Sequence, residues 1–164
     1  MPHTNLRELA FQMQSKELRD YGREVLQRDP NRVAAAEVLD LMAYLVECDF
    51  VGAEAKIDTI KYRFQDTKDE GYVSEAISLA KTHINFAFGR FDELNDSANS
   101  FLTHHNNWPA IEKGEFLDVL RILAQRAMFL DLNHELDQIL KDMKHYQTDD
   151  KSVNQDRKST RLNS

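Results

Sequence analysis

The chain has 164 residues, 21 Lys and Arg against 28 Asp and Glu, a formal net charge of −7 and one cysteine, Cys48. That length holds one domain with a sizeable core, and the acidic balance argues against nucleic acid as a partner of this segment, because phosphate binding rests on neutralisation by Lys and Arg. A lone cysteine excludes an intramolecular disulfide and fits a reducing compartment, and no apolar run approaches a membrane span or a signal-peptide core, so a soluble, cytoplasmic protein is expected.

Five glycines and three prolines punctuate the chain, and no strand-like alternation persists, so the elements are expected to be helices. Leu6, Leu9, Ala10 and Met13 recur at three- and four-residue spacing and mark a first one. A second carries Leu18, Tyr21, Val25 and Leu26 and ends at Arg28-Asp29-Pro30-Asn31, where proline disfavours helix in the residue before it. The next runs from Val33 to Glu47 with Val38, Leu41, Met42 and Leu45 on one face. After the turn Cys48-Asp49-Phe50 a helix spans Val51 to Phe64 with Ala53, Ile57, Ile60 and Phe64 inward. Asp66 to Gly71 reads as a polar loop. Val73 to Phe88 presents Ala76, Leu79, Ala80, Phe86 and Ala87; Gly89-Arg90-Phe91 turns; Asp92 to Leu102 presents Leu94, Ala98 and Phe101. A loop follows over His104 to Pro109, with Trp108 either anchoring it or meeting a partner. Glu115 to Leu130 presents Phe116, Leu117, Leu120, Leu123, Ala124, Ala127 and Met128. Asp131-Leu132-Asn133 turns into a last helix with Leu136, Ile139, Leu140 and Met143, and the chain turns polar beyond Tyr146.

These helices pair, and the pairs repeat. Phe50, Phe91 and Leu132 stand 41 residues apart in successive turns. At the same spacing Ala35, Ala76 and Leu117 align, as do Val38, Leu79 and Leu120, then Leu45, Phe86 and Ala127, and Ile57, Ala98 and Ile139. Two columns break: Ala53/Leu94/Glu135 ends on an acid, and Met42/His83/Ala124 places a histidine in an apolar stripe. Such a period marks a helical solenoid, in which one hairpin cannot bury its apolar face alone and its neighbours cover it.

Particular turns point to a family. Tyr21 to Asn31, closing on Asp29-Pro30-Asn31, resembles the end of a tetratricopeptide repeat. Tyr44 followed by Cys48-Asp49-Phe50-Val51-Gly52-Ala53 is similar to that family's Tyr and Gly-Asp-Tyr-x-x-Ala, and Gly89-Arg90-Phe91-Asp92-Glu93-Leu94 is a second copy of the turn. The departures are a period of 41 rather than about 34, no Trp or Leu-Gly pair in the first helix, and one glycine among the three turns. The resemblance implies an all-α, right-handed stack of antiparallel helical hairpins over 1–146, with a groove for peptides, partner proteins or small signals. It carries over no catalytic residues.

Beyond it, 147–155 reads as a disordered linker or the start of a continuation. The last nine residues, Asp156 to Ser164, resemble one reading frame of a widely used short-read library adapter (GAT CGG AAG AGC ACA CGT CTG AAC TCC). That resemblance implies an artefact at 156–164 and an open reading frame that continues past Gln155. Setting aside its three bases (Arg157, Lys158, Arg161) and one acid (Asp156) leaves 18 basic and 27 acidic residues, a balance of −9.

Candidates for chemistry are few. His104 and His105 are adjacent, a poor arrangement for two ligands of one tetrahedral metal; His134 and Asp137 share a helix face without a third ligand. Cys48 stands where the repeat prefers a small residue and lacks a neighbouring base. Phosphate loops, nucleophile elbows and His-Glu-x-x-His are absent, and 66–70 lacks the alternation of a calcium loop. No cofactor, no metal and no catalysis by this segment are expected. For binding, Tyr44, Asn85 and Arg126 fall at equivalent positions 41 apart, and Tyr and Arg are favoured in interfaces. With His83, whose protonation near pH 6 would oppose burial, they form the candidate partner groove. The expected function is a cytoplasmic helical-repeat module that binds a protein or peptide. The alternative is the regulatory front end of a signalling enzyme, such as a diguanylate cyclase, or of a transcription regulator.

Overall fold

The computed structural model describes residues 15–103 and 113–145, all of them helix or the turns between helices. The helix expected over 5–13, the loop bearing His104, His105 and Trp108, and the segment 146–164 lie outside the described residues. Seven helices are seen among the described residues: α1 (Ser15–Arg28), α2 (Val33–Val46), α3 (Phe50–Arg63), α4 (Glu70–Ala87), α5 (Phe91–Thr103), α6 (Lys113–Phe129) and α7 (133–145). They fall into two compact units, α1–α5 and α6–α7. In the first unit, packing runs mainly between sequence neighbours. α1 lies along α2 and α4 along α5, α3 touches both α2 and α4, and α2 also meets α4. The fold is all-α, and its sequential pairs are consistent with stacked hairpins.

The turns explain how so few residues reverse the chain. At the end of α2, Cys48 adopts φ 56°; its N–H donates to Leu45 O and that of Asp49 to Tyr44 O, at 3.1 and 3.0 Å. At the end of α4, Gly89 adopts φ 69°, with the same pair of bonds from Gly89 to Phe86 and from Arg90 to Asn85. At the end of α6, Asp131 has φ 54° and the bonds run from Asp131 to Met128 and from Leu132 to Ala127. This is the Schellman ending, in which one left-handed residue lets two orphan carbonyls find donors. In each case the next carbonyl already accepts the first bond of the following helix: Ala53 to Asp49, Leu94 to Arg90, Leu136 to Leu132. Asp49 also caps α3 through its carboxylate, which accepts from Gly52 N at 2.9 Å.

Two of the sequence expectations shift. The left-handed residues of these three turns are 48, 89 and 131, so the turns are spaced by 41 and then 42 residues. α6 turns one residue later than a strict 41-residue period demands, at an aspartate that tolerates positive φ rather than at Leu130, which does not. That shift also aligns Leu136, instead of Glu135, with Ala53 and Leu94. Secondly, α4 starts at Glu70, inside the expected polar loop. Thr67 closes the loop, its Oγ1 donating to Phe64 O at 2.7 Å, and Glu70 accepts from Asp66 N at 3.1 Å.

The main core of the first unit lies where α2, α3 and α4 meet. Leu41, Ala53, Ile57, Ile60, Phe64, Val73, Ile77, Ala80 and Ile84 form one buried cluster, flanked by Tyr44, Leu45, Phe50 and Tyr72. Leu18 seals α1 against solvent, while Leu94, Ala98 and Phe101 do so for α5, each 0% exposed. Some expected core residues are outside it: Ala87 is exposed, and Met128 and Leu140 are 62% and 49% exposed. Ala87 and Met128 lie in the last turn of their helices, where the chain is leaving its partner.

Candidate functional site

α4 is antiparallel to α3 and α5, to which short connections join it, and its neighbours stand apart enough to leave a furrow. The furrow is an open depression of about 710 Å³ lined by α3, α4, α5 and the loop after α3. Cavities of a few hundred to a thousand Å³ suit small ligands and short peptides. Its floor is apolar, from Ile57, Phe64, Val73, Ile77 and Ile84; its walls carry Glu54, Asp58 and Lys61 on α3, and Glu93 and Asp96 on α5. At one end an exposed ion pair links α3 to the residue before α5. Arg90 donates to Glu54 at 2.8 Å, its guanidinium lies 4.6 Å over the Phe88 ring, and Phe88 meets Phe50 edge to face at 5.8 Å.

A polar seam runs along the α4–α5 contact and opens into this furrow. Thr82 donates to Ser78 O at 2.8 Å and lies 3.3 Å from Ser97 Oγ. Ser97 donates to Leu94 O at 3.1 Å and accepts from Asn85 Nδ2 at 3.4 Å. Farther along, Ser78 and Ser100 hydroxyls sit 3.3 Å apart. Thr82, Asn85 and Ser97 are 0%, 7% and 9% exposed; each has a hydrogen-bond partner, as burial requires. Small residues here let α4 and α5 approach closely.

A second cluster, of charges, ties α1, α2 and α3 together. Arg19 pairs with Asp40 at 2.8 Å and with Glu47, and its guanidinium covers the Tyr44 ring at 4.8 Å. Lys56 bridges Glu37 and Asp40 at 2.5 and 2.9 Å, and Arg63 approaches Glu37 at 3.7 Å. Burial pushes the Asp40 carboxyl up, but bonds from Lys56 and Arg19 outweigh it and hold the group below its ordinary range. Burial likewise pushes Lys56 down, and its bonds to Glu37 and Asp40 outweigh that and raise it. Glu47 is lowered, chiefly by its hydrogen bond with Arg19, and the same bond raises Arg19. Every charge in this cluster is matched by an opposite one, so it acts as a strut between helices.

The four residues singled out for a groove lie in different surroundings. Tyr44 is half-buried beneath Arg19. His83 is half-buried one turn from the furrow end of α4. Asn85 lines the furrow. Arg126, 8% exposed, belongs to the other unit and donates to Glu135 at 3.1 Å. The position equivalent to Tyr44 and Asn85 by turn geometry is Ala127, the residue whose carbonyl accepts from Leu132. Sequence reading missed the furrow's serines and the charged strut, because Ser, Thr, Lys and Glu on helices read as solvated until packing is known. Among the described residues no group of three or more His, Cys, Asp or Glu is placed to hold a metal ion, and no helix is long and apolar enough to cross a membrane. No protein family, curated protein or solved structure matches the chain.

Proposed function

We propose that the chain is a helical-repeat interaction module, a tetratricopeptide-like solenoid that binds a partner protein or peptide in a groove and performs no catalysis itself. The observation that carries this reading is the furrow over α4, a cleft of ligand size with an apolar floor and polar walls. The shared turn geometry after α2, α4 and α6 supports the repeat. A two-bond turn fixes α5 against α4, and a preformed cleft between helices lowers the ordering cost at binding. Of the residues first assigned to the groove, Asn85 lines the furrow; Tyr44 and His83 lie outside it in the same unit, and Arg126 belongs to the other unit.

Selection of a displayed peptide library against the full chain tests the reading. Peptides that bind should lose at least about tenfold in affinity when Ser78→Trp or Ser100→Trp fills the furrow. Alanine at Asn85 then measures the share of that residue. Selected peptides that bind both tryptophan variants as well as the parent would move the site elsewhere, and a library yielding no binder would remove the reading.

A further inference from the structure

The unit formed by α6 and α7 leaves open an apolar face that the other hairpins bury. Counted from the left-handed residue of each turn, Leu136, Leu140 and Met143 of α7 match Ala53, Ile57 and Ile60 of α3, and Leu94, Ala98 and Phe101 of α5. The six matched residues of α3 and α5 are at most 2% exposed. In α7 the same positions stay accessible: Leu140 is 49% exposed, and Leu136 and Met143 are half-buried. α3 shows what closes such a face. Its three residues share one buried cluster with Val73, Ile77, Ala80 and Ile84, the apolar stripe of a helix laid alongside. Met128, Phe129 and Leu130 leave further apolar surface exposed in the same unit as α7, and apolar surface gathered in this way marks an interaction site. The occupant is therefore a helix with an apolar stripe, and the charges of α7 select which one.

Asp137, Leu140 and Lys144 follow one another at three- and four-residue spacing, so they share one face of the helix. The acid and the base are both exposed and stand about one helical turn to either side of Leu140. A second α7 laid antiparallel across Leu140 sets each Asp137 beside the other copy's Lys144, twice by symmetry, while the two apolar stripes cover one another. A parallel pairing would set aspartate on aspartate and lysine on lysine, which is destabilising. We propose that α7 is a dimerisation face, on which a second copy of this chain packs its own α7 antiparallel about a two-fold axis near Leu140. None of these residues lines the furrow, so the contact stands whether or not a peptide binds there.

Sedimentation equilibrium of the full chain over a range of concentrations tests this. The chain should show a monomer–dimer equilibrium, and Leu140→Glu should weaken the dimer at least about tenfold. Asp137→Lys alone, or Lys144→Glu alone, sets like charges together at both contacts and should weaken it about tenfold. An equimolar mixture of these two charge variants should associate as the parent does, because every lysine then meets an acid again. All three positions are exposed, so thermal midpoints equal to that of the parent at low concentration, where all are monomeric, check that the variants fold. A chain that stays monomeric throughout, or a dimer indifferent to Leu140→Glu, would overturn the proposal. A dimer lost with Leu140→Glu but indifferent to both charge variants would contradict the antiparallel pairing, and the proposal with it.

Discussion

Cys48 occupies a backbone position that suits glycine. Its φ of 56° places the side chain in the left-handed region, where an L-residue costs about 1–2 kcal/mol, partly offset by the greater freedom of glycine in the unfolded chain. Cys48→Gly should therefore raise stability by about 0.5–1 kcal/mol, and Gly89→Ala, with φ 69°, should lower it by about 1 kcal/mol; urea unfolding of both variants checks the opposite signs. Two other glycines separate in the same way. A methyl at Gly22 would meet Ala36 O at 3.5 Å, an ordinary contact, so Gly22→Ala should stabilise α1 by about 0.5–1 kcal/mol. A methyl at Gly52 would collide with the Asp49 carboxylate and come within 2.8 Å of the Tyr44 ring. Gly52→Ala should cost about 1 kcal/mol through the lost helix cap. At this scale the sequence is a fair guide to turns: the small-then-aromatic pairs Cys48/Phe50 and Gly89/Phe91 are visible as motifs. The turn at Asp131-Leu132-Asn133 is legible too, but not that Asp131 is its left-handed residue, because an aspartate in that region looks like any polar turn residue.

Between elements, the strut of Arg19, Asp40, Glu37 and Lys56 makes the stability of the first unit depend on pH. Asp40 and Glu47 are lowered in the folded state, so their contribution is present above the unfolded carboxylate value of about 4 and is lost as pH falls through the folded values. Lys56 is raised, so its contribution is present below the unfolded value of about 10.4 and is lost as pH rises through the folded one. Asp40→Asn should destabilise by about 1–2 kcal/mol at pH 7, less than a fully buried pair because the Asp40 side chain is 28% exposed. The same variant should flatten the fall in thermal midpoint between pH 5 and pH 2 by about a third or more; an unchanged acid limb would mean that the strut does not report on unfolding. Apolar spacing revealed which face of α3 and α5 turns inward, as Ala53, Ile57 and Leu94 show. It could not reveal the strut or the Thr82–Ser97–Asn85 seam, since both arise from residues that only the partner helix buries.

At the scale of the molecule, the helical scaffold is readable from the sequence and the furrow is not. Helices, their order and their turns follow from periodicity and from Pro30, Gly89 and the aromatic turn residues. The furrow does not, because it depends on how far α3 and α5 stand apart over α4, a distance no spacing in the chain encodes. The equal 41-residue spacing that linked Tyr44, Asn85 and Arg126 also hid the extra residue before Asp131, which puts Ala127 at the equivalent place. Peptide binding in the furrow over α4, as proposed above, is best probed by nuclear magnetic resonance. A library-selected peptide titrated into the labelled chain should shift the side-chain amide of Asn85 and the backbone amides of Asp58, Ser78, Ser97 and Ser100. Shifts confined to other surfaces, such as the exposed Val51 and Tyr62 of α3, would contradict it.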